Sequence, residues 1–240
     1  MFEKYIQREN TIFKILQKLL DNGLNFVLIG GYAVSAFKHR FSVDADIVIK
    51  TEDLKKFEMT LKNEKFIETK SKNLDNLYST KFARFEKKDE LTVSVDLLIG
   101  GMGIRQTNSS ISFETINNNS SIKVIKGLEK EIKVKIPSKE MLIAVKLQAG
   151  RLTDFRDIAA LSKDVDVNKI KEFLKNTDKE VIKKHIDNLL ITIRKNEFLD
   201  SFKGVFMEKK FDIDLKTVEK LKEIVKDAEV YNFSVFEDES

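Results

Sequence analysis

Cysteine is absent from the 240 residues. That excludes disulfides, thiolate nucleophiles and thiolate metal sites, and makes an intracellular setting the default expectation. Histidine occurs twice, at His39 and His185; two isolated imidazoles make no metal cluster, and no motif supports Ser/His/Asp catalysis. Tryptophan is missing while phenylalanine reaches 18, which reads as core rather than as a platform for stacking bases. There is a single proline, Pro137. No stretch approaches the ~18 consecutive apolar residues of a membrane helix, and Met1 to Tyr5 lack the apolar run of a signal peptide. A soluble, cytoplasmic chain with no membrane partner is expected.

What is present is an apolar fraction of 42%, enough for a substantial core, beside 34% charged residues and a net charge of +4. The pI near 8.9 suits phosphate-rich partners, although scattered surface lysines give the same total.

Apolar positions at Ile6, Phe13, Leu16 and Leu20 have helical spacing over residues 3–21, with Gly23 as the stop. Phe26 to Ile29 is a short, wholly apolar strand; Gly30-Gly31 follows, and Tyr32 to Lys38 reads as a short helix. Val43 to Ile49 is a second strand, and Thr51 opens a helix to about Asn63. Residues 77–99 read as a β-hairpin about Lys88-Asp89-Glu90, broken at Gly100-Gly101-Met102-Gly103. Residues 105–121, rich in Asn, Ser and Thr, read as a long loop with at most a short strand. Ile132 to Ile136 alternates as a strand that Pro137 ends, and Ser138 caps a helix through Ala149, closed by Gly150. Beyond it the pattern is helical at 154–163, 167–176, 178–197 and 214–229, with an acidic, frayed C-terminus. The expected class is therefore α+β: a mixed-sheet domain with flanking helices over 1–137 and an all-helical domain over 138–240.

Two segments carry the chemistry. In the first, a strand ends in Gly30 and Gly31 and opens a helix. Glycine lets backbone approach a ligand closely, and a helix start favours an anion. The same pair also suits a plain strand-to-helix turn. In the second, Arg40-Phe41-Ser42-Val43-Asp44-Ala45-Asp46, strand alternation turns Val43, Ala45, Ile47 and Ile49 to the core and both aspartates the other way. Their Cα atoms then lie ~6.6 Å apart. Two carboxylates on one face repel and lose solvation unless a cation sits between them. Mg²⁺ takes such ligands together with substrate phosphates. Asp96 lies in Thr92 to Ile99, opposite Val93, Val95, Leu97 and Ile99. If its strand neighbours the one at 43–49, three acids converge in the manner of a two-metal phosphoryl-transfer site.

The order Gly-Gly, short helix, Arg-x-Ser-x-Asp-x-Asp, then a later strand with one Asp, resembles the DNA polymerase β-type nucleotidyltransferase superfamily. Within it, Gly30 to Val34 with Arg40, Ser42, Asp44 and Asp46 is similar to the minimal members, which include aminoglycoside nucleotidyltransferases and AbiEii-type toxins. The resemblance implies that Asp44 and Asp46 hold two Mg²⁺ ions (Mn²⁺ is an alternative). Asp96 would hold the catalytic one and help deprotonate an acceptor hydroxyl, and Gly30 and Gly31, with Arg40 and Ser42, would bind the NTP. Downstream, Lys146-Leu147-Gln148-Ala149-Gly150-Arg151 and Thr153-Asp154-Phe155-Arg156-Asp157 resemble the AbiEii-type segment. There Lys146 would be a phosphate ligand and Asp157 an active-site acid.

Read without the resemblance, Lys146 sits in a very apolar helix and needs a partner or a phosphate, or snorkels to solvent. Tyr32 either stacks on a base or packs. Lysines 169, 171, 175, 179, 183 and 184 form either an RNA-facing stripe or a solvated surface. The implied activity is transfer of a nucleoside monophosphate from an NTP, ATP among them, to a hydroxyl of RNA or tRNA, protein or a small molecule. It would serve as a toxin with a partner antitoxin. The alternative is a catalytically inactive nucleotide-binding or RNA-binding protein on the same fold.

Overall fold

The computed structural model describes residues 2–73, 81–206 and 213–230; the expected hairpin's residues 77–80 and the acidic C-terminus after 230 lie outside them. The chain divides into two compact units. One is built on residues up to Gly103 with Ser109–Ser138, the other on Ile104–Asn108, Lys139–Gly204 and the C-terminal helices.

The first unit opens with α1 (Phe2–Asp21), which presents Ile12, Phe13, Ile15, Leu16 and Leu19 to the core. Gly23 reverses the chain at φ +71°. Then follow β1 (Phe26–Ile29), α2 (Gly30–Ser35) and β2 (Asp44–Ile49), and a 3-10 turn at Thr51–Asp53 leading into α3 (Leu54–Asn63). Next come β3 (Ile67–Asn73), β4 (Lys81–Lys87) and β5 (Val93–Ile99). The sheet order is β1-β2-β5-β4-β3. β2 and β5 run parallel, and the other neighbours are antiparallel. The apolar rows Ala45, Ile47, Ile49 and Val93, Val95, Leu97, Ile99 are buried, and α1 packs against β5 and α3. Two ribbons complete the unit, β6 (Gly101–Ile104) with β7 (Ser109–Ser112) and β8 (Ser120–Lys126) with β9 (Glu131–Pro137); between them lies α4 (Phe113–Asn118).

The second unit is helical: α5 (Lys139–Ala149), α6 (Leu152–Leu161), α7 (Val167–Leu174), α8 (Lys179–Thr192), α9 (Asn196–Phe206), α10 (Leu215–Lys220) and α11 (Glu223–Val230). Gly150, at φ +61°, ends α5. Asp166, Asp178 and Asp214 cap α7, α8 and α10 by accepting backbone N–H bonds, which satisfies groups a helix start otherwise leaves open.

Several expectations need correction. Val43 is 57% exposed and precedes β2, so the core row begins at Ala45. The expected loop 105–121 holds, beside β7 as its short strand, the unexpected helix α4, capped by the Ser112 hydroxyl, which accepts from the Thr115 N–H. The expected helix 178–197 ends at Thr192, where the branched run Ile191-Thr192-Ile193 restricts side-chain rotamers and the Lys195 N–H turns back to the Thr192 carbonyl. The expected helix 214–229 divides at Leu221–Lys222, where i to i−3 bonds replace the α pattern.

Candidate active site

The sheet register assembles the acids. Asp46 on β2 lies directly beside Asp96 on parallel β5, and beside Ile29, the last residue of β1. Asp44 is two residues back on the same face. One carboxylate oxygen from each of Asp44, Asp46 and Asp96 lies within 4.8 Å of the others. Asp44 and Asp46 are half-buried, and Asp96 is 4% exposed. Three oxygens gathered so closely are the hard donor set that Mg²⁺ or Mn²⁺ accepts, so these residues fit a divalent ion.

Gly30 is the hinge between β1 and α2, at φ +69°. A Cβ there would fall on the Asp46 carboxylate, with Cγ only 3.0 Å away. Backbone and acid are therefore packed as closely as the missing side chain allows. Gly31 repeats the device one residue on. A Cβ on it would meet the Ser42 side chain and lie 3.1 Å from Arg40 Nη2. Arg40 and Ser42, expected as nucleotide contacts, are thus brought over the paired glycines. The Ser42 hydroxyl donates to the Asp44 carbonyl at 3.4 Å, which ties the loop to the start of β2.

Tyr32 is wholly buried. Its ring meets Phe13 edge-on at 5.9 Å, and its hydroxyl donates to the Ser42 carbonyl at 3.2 Å. Burial pushes its phenol well above the ordinary range. Its position is beneath the Arg40–Ser42 loop, which it anchors, and no ring face is offered to a base.

Arg84, on β4 directly opposite Asp96, was not among the expected site residues. Its Nε donates to Asp96 Oδ1 at 2.7 Å and its Nη2 to Asp96 Oδ2 at 2.6 Å. The same Nη2 reaches Asp44 Oδ2 at 3.1 Å. Burial raises the Asp96 carboxyl above its usual range, against the pull of this guanidinium. The same fork holds Arg84 protonated. A one-residue alternation reading of residues 81–87 would place Arg84 on the face of Asp96, but only once β4 is known to pair with β5.

In the helical unit, Lys146 is 6% exposed. Its ammonium donates to Asp157 Oδ2 at 2.6 Å and Asp154 Oδ1 at 3.3 Å. Asp154 also accepts from the Arg151 backbone N–H and Nε, which closes the start of α6. The need of Lys146 for a partner is met by these two acids. Lys169, Lys175, Lys179, Lys183 and Lys184 are exposed and Lys171 half-exposed.

The chain matches, over residues 14–230, the family described as the nucleotidyl transferase AbiEii toxin of type IV toxin–antitoxin systems, and it belongs to that family. No curated protein matches it. Among solved structures it is similar to a protein from H. pylori described as a nucleotidyltransferase, at 18% identity and a TM-score of 0.46, over 95% of this chain and 98% of that one. It is similar also to the antibiotic-resistance factor ANT(2'')-Ia, at 13% identity and a TM-score of 0.40, over 97% and 96% of the two chains. A tRNA nucleotidyltransferase complexed with a primer tRNA and an incoming ATP analogue follows at 14% and 0.30, over 94% of this chain and 71% of that one. Among the described residues no helix is long and apolar enough to cross a membrane.

Proposed function

We propose that the chain is a metal-dependent nucleotidyltransferase that moves a nucleoside monophosphate from an NTP to an acceptor hydroxyl. The observation that carries this is the convergence of Asp44, Asp46 and Asp96 within 4.8 Å, beside two glycines that admit no side chain.

In this reading Asp44 and Asp46 would hold Mg²⁺, two ions in the full site, and Asp96 would hold the catalytic one. When bound, the metal supplies Lewis-acid polarisation of the α-phosphate and lowers the pKa of the attacking hydroxyl. The acceptor oxygen forms a bond to the α-phosphorus as the bond to the β-phosphate oxygen breaks, and pyrophosphate leaves. Asp96 helps take up the hydroxyl proton. Gly30 and Gly31 allow the triphosphate to approach the backbone, and Arg40 and Ser42 face it. Lys146 and Asp157 belong to the reading as a phosphate contact and an active-site acid. They are each other's partner at 2.6 Å, so contact with phosphate exchanges one anion for another at Lys146.

Family membership supports a toxin role with an antitoxin partner, and RNA is the acceptor favoured by the lysines of α7 and α8. ATP as donor and a cytoplasmic setting complete the proposal. The test is incubation with each α-labelled NTP, Mg²⁺ and total RNA or total protein. Label retained on one macromolecule is expected, and Asp46→Asn should abolish it while leaving the protein folded. Equal labelling by Asp46→Asn would overturn the role given to Asp46, and binding of NTP with no product under any condition would favour the inactive binding protein instead.

A further inference from the structure

Arg84 is placed to do more than neutralise a buried acid. Its fork engages both oxygens of Asp96 at 2.7 and 2.6 Å, and the same Nη2 reaches across to Asp44 at 3.1 Å. Asp44 and Asp96 are two of the three residues whose oxygens cluster within 4.8 Å. One nitrogen therefore lies between two carboxylates that a divalent ion would have to share.

The contacts differ in kind. The pair to Asp96 is two-pronged and short, the strong geometry for guanidinium and carboxylate. It is fixed by strand register, since Arg84 and Asp96 are directly opposed on antiparallel strands, where side chains on one face stand ~4.5–5.5 Å apart. The bond to Asp44 is single and longer. Each carboxylate oxygen has two lone pairs, so the fork on Asp96 leaves acceptor sites on both of its oxygens. The bridge to Asp44 places positive charge in the gap itself.

We propose that Arg84 is a built-in cation that competes with the divalent ion for the Asp44–Asp96 gap. On metal binding it gives up Asp44 and keeps its hold on Asp96, so it sets both the threshold of metal loading and the aim of the Asp96 carboxylate. It is a positioning residue, acting through the two acids. The inference rests on the metal reading of Asp44, Asp46 and Asp96 above.

The test is Mn²⁺ binding to the full chain without nucleotide, followed by the loss of the free-ion electron paramagnetic resonance signal. Arg84→Met removes the competing charge and should tighten Mn²⁺ by about fivefold or more, even as turnover falls because Asp96 is no longer aimed. Arg84→Lys keeps a charge but cannot form the fork; it should hold Mn²⁺ near the wild-type affinity and still lose turnover. A merely structural arginine would give weaker binding in both. Arg84→Gln, which can still donate to Asp96, makes the neutral test if the methionine variant does not fold, judged by far-ultraviolet circular dichroism. Unchanged or weaker Mn²⁺ binding in the folded neutral variant overturns the competition. Mn²⁺ binding that survives Asp46→Asn at full strength overturns the metal reading itself, and the competition with it.

Discussion

Gly30→Ala separates the two roles that the paired glycines can have, a turn and a close approach. The residue sits at φ +69°, in the left-handed region, where a Cβ costs ~1–2 kcal/mol. The new methyl also falls on the Asp46 carboxylate. That carboxylate is the end of a short side chain, and turning it off its rotamer costs only ~0.5–1.5 kcal/mol. The total, about 1.5–3.5 kcal/mol, is less than the ~5–15 kcal/mol stability of an ordinary protein, so the variant should fold.

At ~2–4 °C of Tm per kcal/mol for a chain of this size, melting should fall by several degrees. Function should suffer more, because Asp46 is pushed out of the cluster, and misplacement of a reacting group by ~1 Å costs about 10²-fold in rate. Gly23→Ala is the matched control: its φ is +71° and nothing lies within 4 Å of the Cβ position. It should show the backbone part of the loss in thermal melts and leave Mn²⁺ affinity and pyrophosphate release intact. If Gly30→Ala, melted and assayed beside it, keeps wild-type Mn²⁺ affinity and turnover, then Asp46 does not need its position against Gly30, and the close-approach reasoning fails.

Lys146→Met leaves Asp154 and Asp157 facing a methyl group where an ammonium stood. Removing one member of a buried pair typically costs ~3–5 kcal/mol, or roughly 6–20 °C in a thermal melt, and no change in Tm would show that the pair does not hold the helical unit. Glu9 is buried, accepts the Leu128 N–H at 3.0 Å, and has its carboxyl raised by burial, with His39 opposing weakly. A raised carboxyl favours the folded state below the unfolded-state pKa and loses that contribution as pH climbs through the raised value. Glu9→Gln should therefore stabilise the protein near pH 7 relative to wild type and lose that advantage near pH 4. Melts at the two pH values check it, and a gain at pH 4 alone would reverse the sign.

The acids and glycines were legible because each breaks a local rule. Asp44, Asp46 and Asp96 stand in strands where aspartate is disfavoured, and Gly30-Gly31 interrupts an apolar strand at a helix start. Arg84 broke no rule: Phe82-Ala83-Arg84-Phe85 is an ordinary half-exposed strand, and its meaning comes from pairing with a strand twelve residues on. β3 was missed for a related reason. Ile67-Glu68-Thr69-Lys70 has no apolar row, with Ile67 itself 70% exposed, because among the described residues it is an edge strand paired with β4. Lys146 was recognised as a cation in need of a partner, but the choice between phosphate and acid depends on where α6 returns against α5, which spacing does not encode.

The placement of the acids is decided by the face that carries none. Along β5, Val93, Val95, Leu97 and Ile99 are at most 3% exposed, and burying each is worth about 1.5–3 kcal/mol. A one-residue slip of β5 would exchange faces, taking these four out of the core they fill and putting Ser94, Asp96 and Leu98 in their place. The loss is at most roughly 6–12 kcal/mol, since the acid-bearing face is itself largely covered, and that upper bound is comparable to the whole stability of a typical domain. The cost of holding Asp96 beside Asp46 is smaller, since Arg84 already satisfies both of its oxygens. The core face therefore wins, and the three carboxylates converge as a consequence of apolar packing that they oppose. Substitutions in that row, far from the acids in chemistry, should disturb the site through register before they disturb it through contact.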